Sequence, residues 1–184
     1  MTYGPHVGGK TLKALFGETA FYHFRIFQAA EIPGINPVAD QVLAYWESRR
    51  HGDDLPRRDD IRPQEIKRAL PHLVLLDLIP DGAAAHGFRL MTRLIGTHVA
   101  QYFGEITGQD IAEMENRAAA RRIYHMCALA REHRQPFLSV VRGFAPGREH
   151  LDAYALYMPL AGREGEEVGK ILVSVDVRFS DPEG

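Results

Sequence analysis

Apolar and polar residues alternate most clearly at the end of the chain. Odd-numbered positions from Ile171 to Val177 are apolar, whereas the even-numbered ones include Ser174, Asp176 and Arg178. This period of two predicts a strand over residues 168–179 with one buried face, and it places Asp176 on an exposed face. Two further strands are predicted just before it, over 136–144 and 151–160, joined by Gly-rich or charged connectors typical of hairpin loops.

An earlier pair of strands is predicted in the middle of the chain. LVLLDLIP, residues 73–80, has the branched apolar character of a buried strand, and PDG at 80–82 is a turn signal. A second strand over 87–95 follows at hairpin distance. The chain therefore carries two strands, then a helical region, then three strands.

The remaining apolar spacing is helical. Residues 38–50 place Val42 and Trp46 on a common face, and a short helix is expected over 63–70. Another helix is expected from Thr97 to residue 102. The longest one, over 115–133, is rich in good helix formers. Its apolar face carries Ala119, Ile123, Met126 and Ala130.

This element order predicts an α+β fold: a five-stranded antiparallel sheet with the helices packed on one face, plus an N-terminal helical extension. The other face of the sheet is expected to be covered by N-terminal helices or by a partner. We divide the chain into a partly flexible N-terminal extension over 1–36, serving as a dimer or cap segment, and one domain over 37–180. Within 11–30, Leu12, Leu15 and Phe16 fit helical spacing and Tyr22, Phe24 and Ile26 alternate as in a strand, so periodicity alone leaves both open.

Several short motifs lie in the first half of the domain. They are Tyr45-Trp46, Leu55-Pro56-Arg57-Arg58, Leu70-Pro71-His72, Arg93-Leu94-Ile95-Gly96-Thr97, Phe103-Gly104 and Thr107-Gly108. Together they resemble a PAS-like family of alphaproteobacteria, over about residues 38–178. The resemblance implies a PAS fold and a sensory or regulatory role, and it implies no particular ligand. Gly96, Gly104 and Gly108 are expected where a turn needs a positive φ.

Composition narrows the class of protein. The 184 residues carry a formal net charge of −2, without the basic excess of a nucleic-acid-binding domain. Arginines such as Arg121 and Arg122 are interpreted as part of a mixed-charge surface. Cys127 is the only cysteine, so no intramolecular disulfide can form. With neither a secretory signal nor a long apolar segment, we expect a soluble, cytoplasmic protein without membrane contact, and the family resemblance implies a bacterial one.

No motif for known chemistry stands out. The nine histidines include no His-x-x-x-His pair, so no metal site is predicted. If the domain bound haem, the candidate iron ligands would be the helical histidines His98 and His125. The sequence does not identify a cofactor. A phosphate-binding loop and a nucleophile elbow are both lacking.

The leading hypothesis is a stand-alone, non-catalytic PAS sensor, acting as a homodimer or with a signalling partner. Its ligand would bind between the sheet and helix 115–133. The residues predicted to contact that ligand are His98, Tyr102, Ile123, Tyr124, Met126 and Cys127. One alternative is a protein-interaction or dimerisation module with a filled core. Another is a small enzyme, such as an isomerase, that would use Asp152 or Asp176.

Overall fold

One twisted antiparallel sheet organises the fold. The computed structural model describes residues 24–144, 147–164 and 167–181, together with the backbone of three two-residue strands before residue 12. The strands are β1 (Thr2–Tyr3), β2 (His6–Val7), β3 (Lys10–Thr11), β4 (Phe24–Gln28), β5 (Leu73–Pro80), β6 (Phe88–Ile95), β7 (Phe137–Arg142), β8 (Leu151–Ala161) and β9 (Val168–Phe179). The helices are α1 (Pro37–Ser48), α2 (Thr97–Phe103) and α3 (Arg117–His133), with 3₁₀ turns at 29–31, 58–60, 63–65, 70–72 and 111–113.

The strand order confirms the predicted fold class. The sheet runs β1-β4-β7-β8-β9-β5-β6 and every neighbouring pair is antiparallel. The hairpin of β5 and β6 therefore lies beside β9, the last strand of the chain. The five predicted strands, β5 to β9, form the continuous body of this sheet. The predicted short helix over 63–70 is resolved as two 3₁₀ turns instead, at Pro63–Glu65 and Leu70–His72.

The N-terminal segment adds a strand where a helical extension was predicted, and for Phe24–Gln28 that prediction is wrong. Phe24 and Ile26 are buried, while Arg25 between them is exposed. Strand β4 pairs with β7 along its whole length, from Phe24 opposite Val141 to Gln28 opposite Phe137. The alternating pattern prevails because β7 would otherwise leave a free edge. The predicted helical spacing of residues 12–16 lies outside the described residues.

Helices cover both faces of the sheet, whereas the fold prediction placed helices on one face and left the other to N-terminal helices or a partner. Helix α3 packs on β7, β8 and β9 from one side. Helix α1 packs on β8 and β9 from the other side, anchored by Trp46, which is fully buried and donates from Nε1 to the Pro159 carbonyl oxygen at 3.0 Å. Asn36 starts α1 by accepting a hydrogen bond from the Ala39 amide at 3.0 Å. The two layers bury both faces of the final strand.

Gly96 is required for a close approach of two backbone segments, and not for a positive φ as the sequence predicted. It joins β6 to α2 with a φ of −71°, and its amide donates to the Leu73 carbonyl oxygen at 2.7 Å. A Cβ here would lie 2.3 Å from the Pro71 carbonyl oxygen and 2.5 Å from that of Leu70. Gly104 and Gly108 do have the predicted positive φ, 82° each.

We expect Gly96→Ala to lower the free energy of unfolding by about 2 to 3 kcal/mol, since the clash is with backbone that cannot rotate away. Gly82→Ala is the matched control, because the added methyl group there meets nothing within 4 Å. Urea unfolding of both variants measures the difference. Equal stability of the two would show that the 70–72 turn can move aside.

Candidate functional site

An internal cavity lies between the sheet and the helices on one of its faces. Its volume is about 70 Å³, room for about five water-sized groups. The side chains of the sheet that line it include Val74, Leu76, Val141, Ala153, Val173 and Val175. Those of the helices and turns include Val99, Phe103, Ile106, Ile111, Met114 and Ile123. The walls are apolar almost throughout, as in small-molecule sites, and small side chains such as Ala153 leave the space.

A surface depression adjoins this cavity. Phe103, Ile106, Met114 and Phe144 line both, so the cavity and the depression share a wall. The depression lies beside residues 104–108, which leave α2 through two glycines of positive φ.

Arg122 brings a charge into the apolar cavity. It lies on α3 and is 8% exposed. Its Nη2 donates to the Phe144 carbonyl oxygen at 3.3 Å, and among the described residues no carboxylate lies within 4.0 Å of the guanidinium. Burial lowers the pKa of Arg122, while nearby Tyr157 acts in the opposite direction. Arginine stays protonated at neutral pH even so, and a buried arginine without a carboxylate is uncommon.

Two hydroxyl groups share the cavity wall with Arg122. Tyr157 and Ser139 are 4% and 3% exposed, and both line the cavity. Burial strongly raises the pKa of Tyr157, with Cys127 adding to the effect and Arg122 and Ser139 opposing it. The phenol therefore stays protonated and can donate a hydrogen bond. The result is one polar corner in an otherwise apolar cavity.

The sequence interpretation of Arg122 as a surface residue was wrong. Helical periodicity contained the signal, because Arg122 follows Ala119 by three residues and precedes Met126 by four. It therefore shares the face of α3 that is buried against the sheet. The interpretation of Arg122 as a surface residue had relied only on its charge.

Asp176 is the centre of a second polar cluster, and the prediction that it is exposed was also wrong: it is 5% exposed. It accepts a hydrogen bond from Asn36 Nδ2 at 2.9 Å and one from Arg178 Nε at 2.5 Å. The reason is that α1 covers this face of β9. The alternating sequence of β9 distinguished the two faces of the strand, but it did not indicate which element covers each face.

Two histidine side chains complete this cluster, and they bind the backbone of β9 where its pairing with β5 has ended. The ladder between β5 and β9 ends at Leu73, opposite Ser174. Beyond it, His72 Nδ1 lies 3.0 Å from the Val175 carbonyl oxygen, and His98 Nε2 accepts from the Val177 amide at 3.1 Å. These imidazoles thus take the place of backbone partners. Burial lowers the pKa of His98, with His72 adding to this and Asp176 opposing it.

One ligand atom each from His72, His98 and Asp176 lie within 4.8 Å of one another, which is metal-binding spacing. The hydrogen bonds argue against that use. His98 Nε2, which lies 3.7 Å from Asp176 Oδ1, already accepts a hydrogen bond from the Val177 amide, and His72 Nδ1 faces the Val175 carbonyl oxygen. We interpret the cluster as structural.

Of the six residues predicted to contact a ligand, the structure places Ile123 in the cavity wall. Tyr102 lies in the adjoining depression. Met126 and Cys127 are fully buried on α3, outside the cavity lining, and burial raises the pKa of the Cys127 thiol. His98 belongs to the Asp176 cluster.

Tyr124, the sixth, faces the β5–β6 hairpin. Its hydroxyl donates to Asp110 Oδ1 at 2.8 Å and accepts from the Leu90 amide at 3.0 Å, and burial raises its pKa to about 12. It lies one position beyond Ile123, which turns it about 100° around the helix, away from the cavity. Asp152 and Asp176, the carboxylates of the enzyme hypothesis, are not among the cavity-lining residues.

The fold is an antiparallel sheet whose helices form a cavity against one of its faces. A family model described as "PAS domain" matches residues 36–172, and the chain belongs to that family. It is a PAS module of the sensory class.

Comparison with solved structures finds a chain titled "The light state structure of the blue-light photoreceptor Aureochrome1 LOV". It is 11% identical, with a TM-score of 0.36, covering 65% of this chain and 89% of the other. No curated protein matches this chain. Within the described residues, no helix is long and apolar enough to cross a membrane.

Proposed function

We propose that this protein is a non-catalytic PAS sensor whose internal cavity reversibly binds a small molecule. The observation that carries the proposal is the apolar cavity of about 70 Å³ between the sheet and helices α2 and α3. A fully packed core would have favoured an interaction module instead. Interiors are normally packed with few voids larger than a water molecule.

The ligand would act through α2. This helix contributes Val99 and Phe103 to the cavity wall, while its C-cap, Gly104, begins the segment over 104–108. A molecule in the cavity favours whichever position of Phe103 leaves room for it, and so shifts the population of α2 positions. The proposed output is a changed contact with a second copy of the chain or with a signalling protein.

Xenon is a direct probe of the cavity, because it enters dry apolar cavities of this kind. We expect xenon to shift the amide NMR signals of cavity residues such as Val74 and Val175 in the wild-type protein. Ile123→Trp should abolish these shifts by filling the space. Arg121→Trp is the matched control, since it places the same indole on the exposed side of α3.

Unshifted cavity signals in the wild-type protein would overturn the proposal and favour a filled-core interaction module. Native mass spectrometry of freshly purified protein complements this test. It reports any retained ligand and the oligomeric state in one spectrum.

A further inference from the structure

We infer that the cavity selects a short-chain monocarboxylate, whose carboxylate pairs with Arg122 while its alkyl chain lies among the apolar side chains. This inference rests on the proposed function and names the class of ligand. It starts from the one charged group of the described cavity lining.

The position of Arg122 demands an explanation. A charged guanidinium that is 8% exposed loses most of its hydration, and proteins compensate such a loss with a carboxylate or another anion. Among the described residues no carboxylate lies within 4.0 Å of it. An anionic ligand would supply the missing charge.

A purely structural role explains Arg122 less well. Its hydrogen bond goes to the Phe144 carbonyl oxygen, which already receives Asn116 Nδ2 at 3.4 Å. A carbonyl oxygen accepts up to two hydrogen bonds, and a neutral side chain would fill the second place without burying a charge. The planar guanidinium has five N–H donors and suits a carboxylate held by two parallel hydrogen bonds.

The surroundings define the rest of the ligand. Tyr157 lines the same cavity and offers a hydroxyl donor to a carboxylate oxygen, whereas the Ser139 hydroxyl donates to the Ala155 carbonyl oxygen at 3.5 Å. The apolar lining residues, including Val74, Val99 and Ile123, offer no polar partner to a second charged group. A volume of about 70 Å³ holds about five water-sized groups, which fits an acid of about three to five carbons.

Butyrate and butyramide test the inference, because they share size and shape and differ in charge. We expect butyrate to bind the wild-type protein at least about tenfold more tightly than butyramide, as a charge-assisted hydrogen bond implies. NMR titration at equal concentrations measures both, with the signals of cavity residues as the readout.

Arg122→Met should bring the two affinities to within about twofold, since it keeps the length of the side chain and removes the charge. Arg122→Lys should retain a preference for butyrate. A merely structural Arg122 would not change the ratio of the two affinities.

The outcomes separate this inference from the function on which it rests. Equal binding of both molecules by the wild-type protein, or entry of xenon with neither molecule bound, overturns the carboxylate assignment and leaves the sensor cavity standing. If xenon, butyrate and butyramide all fail to enter, both are overturned. The wild-type comparison needs no variant, so it holds even if Arg122→Met does not fold.

Discussion

Trp46→Ala should lower the free energy of unfolding by about 4 kcal/mol, in the range found when a buried aromatic side chain is truncated to alanine. Trp46 is fully buried between α1 and the sheet, and its Nε1 donates to the Pro159 carbonyl oxygen at 3.0 Å. The substitution leaves a cavity and also removes the indole N–H that donates to this carbonyl.

Two control variants separate these contributions. Trp46→Phe keeps an aromatic ring but loses the N–H donor, so we expect a smaller loss, about 1 to 2 kcal/mol. Tyr45→Ala removes the neighbouring, half-exposed ring, whose hydroxyl donates to Glu65 at 3.0 Å, and should cost about 1 kcal/mol.

Circular dichroism during urea unfolding is the suitable measurement, because Trp46 is the only tryptophan and fluorescence would vanish with it. A loss below about 1 kcal/mol for Trp46→Ala would mean that α1 does not unfold cooperatively with the sheet. Helix α1, which covers the outer face of β8 and β9, would then lie outside the cooperative folding unit.

The pattern of apolar and polar residues predicted the strands, because a strand that buries one face against a layer repeats apolar side chains with a period of two. The bounds of β5, β8 and β9 differ from prediction by at most one residue. The motifs that carried the family resemblance are explained by the fold as well. Trp46 anchors α1, and Gly96 admits the turn before β5. Such residues indicate the architecture and say little about the ligand.

The polar corner of the cavity could not be predicted in the same way. Arg122, Ser139 and Tyr157 come from α3, β7 and β8, and no motif links them. They meet only because antiparallel pairing places Ser139 opposite Ala155, two residues from Tyr157, beneath the helix. Distances across a sheet depend on register, which a single sequence indicates only weakly.

The burial of Asp176 could not be predicted from the local sequence either. A carboxylate on the polar side of a strand is ordinarily exposed, and the prediction followed that rule. Here α1 covers that side, and the Asn36 side chain that begins the helix also binds the carboxylate at 2.9 Å. Which layer covers a face is decided by the whole chain, since α1 lies far from β9 in sequence.

Acidification should destabilise this protein through His125. Burial lowers the pKa of His125 from 6.5 to about 4, and the nearby His86 adds to the effect. Between these two values the unfolded chain binds a proton on His125 and the folded protein does not. Stability is therefore fully present above pH 6.5 and falls as the pH drops towards 4.

The expected contribution of His125 is a loss of about 2 kcal/mol between pH 7 and pH 5, rising to about 3 kcal/mol near pH 4. His125→Gln should remove this part of the pH dependence, whatever it does to stability at pH 7. His51→Gln is the control, at a histidine whose side chain is 74% exposed.

Urea unfolding at pH 7, 6 and 5 measures the three proteins, and the comparison of interest is the difference between each variant and the wild type. Contributions of other groups cancel in that difference when their surroundings are unchanged. An identical slope in His125→Gln and the wild type would show that the imidazole is hydrated in the folded state. The α3 face that carries His125 would then be open to water, and its packing against the β5–β6 hairpin looser than the structure shows.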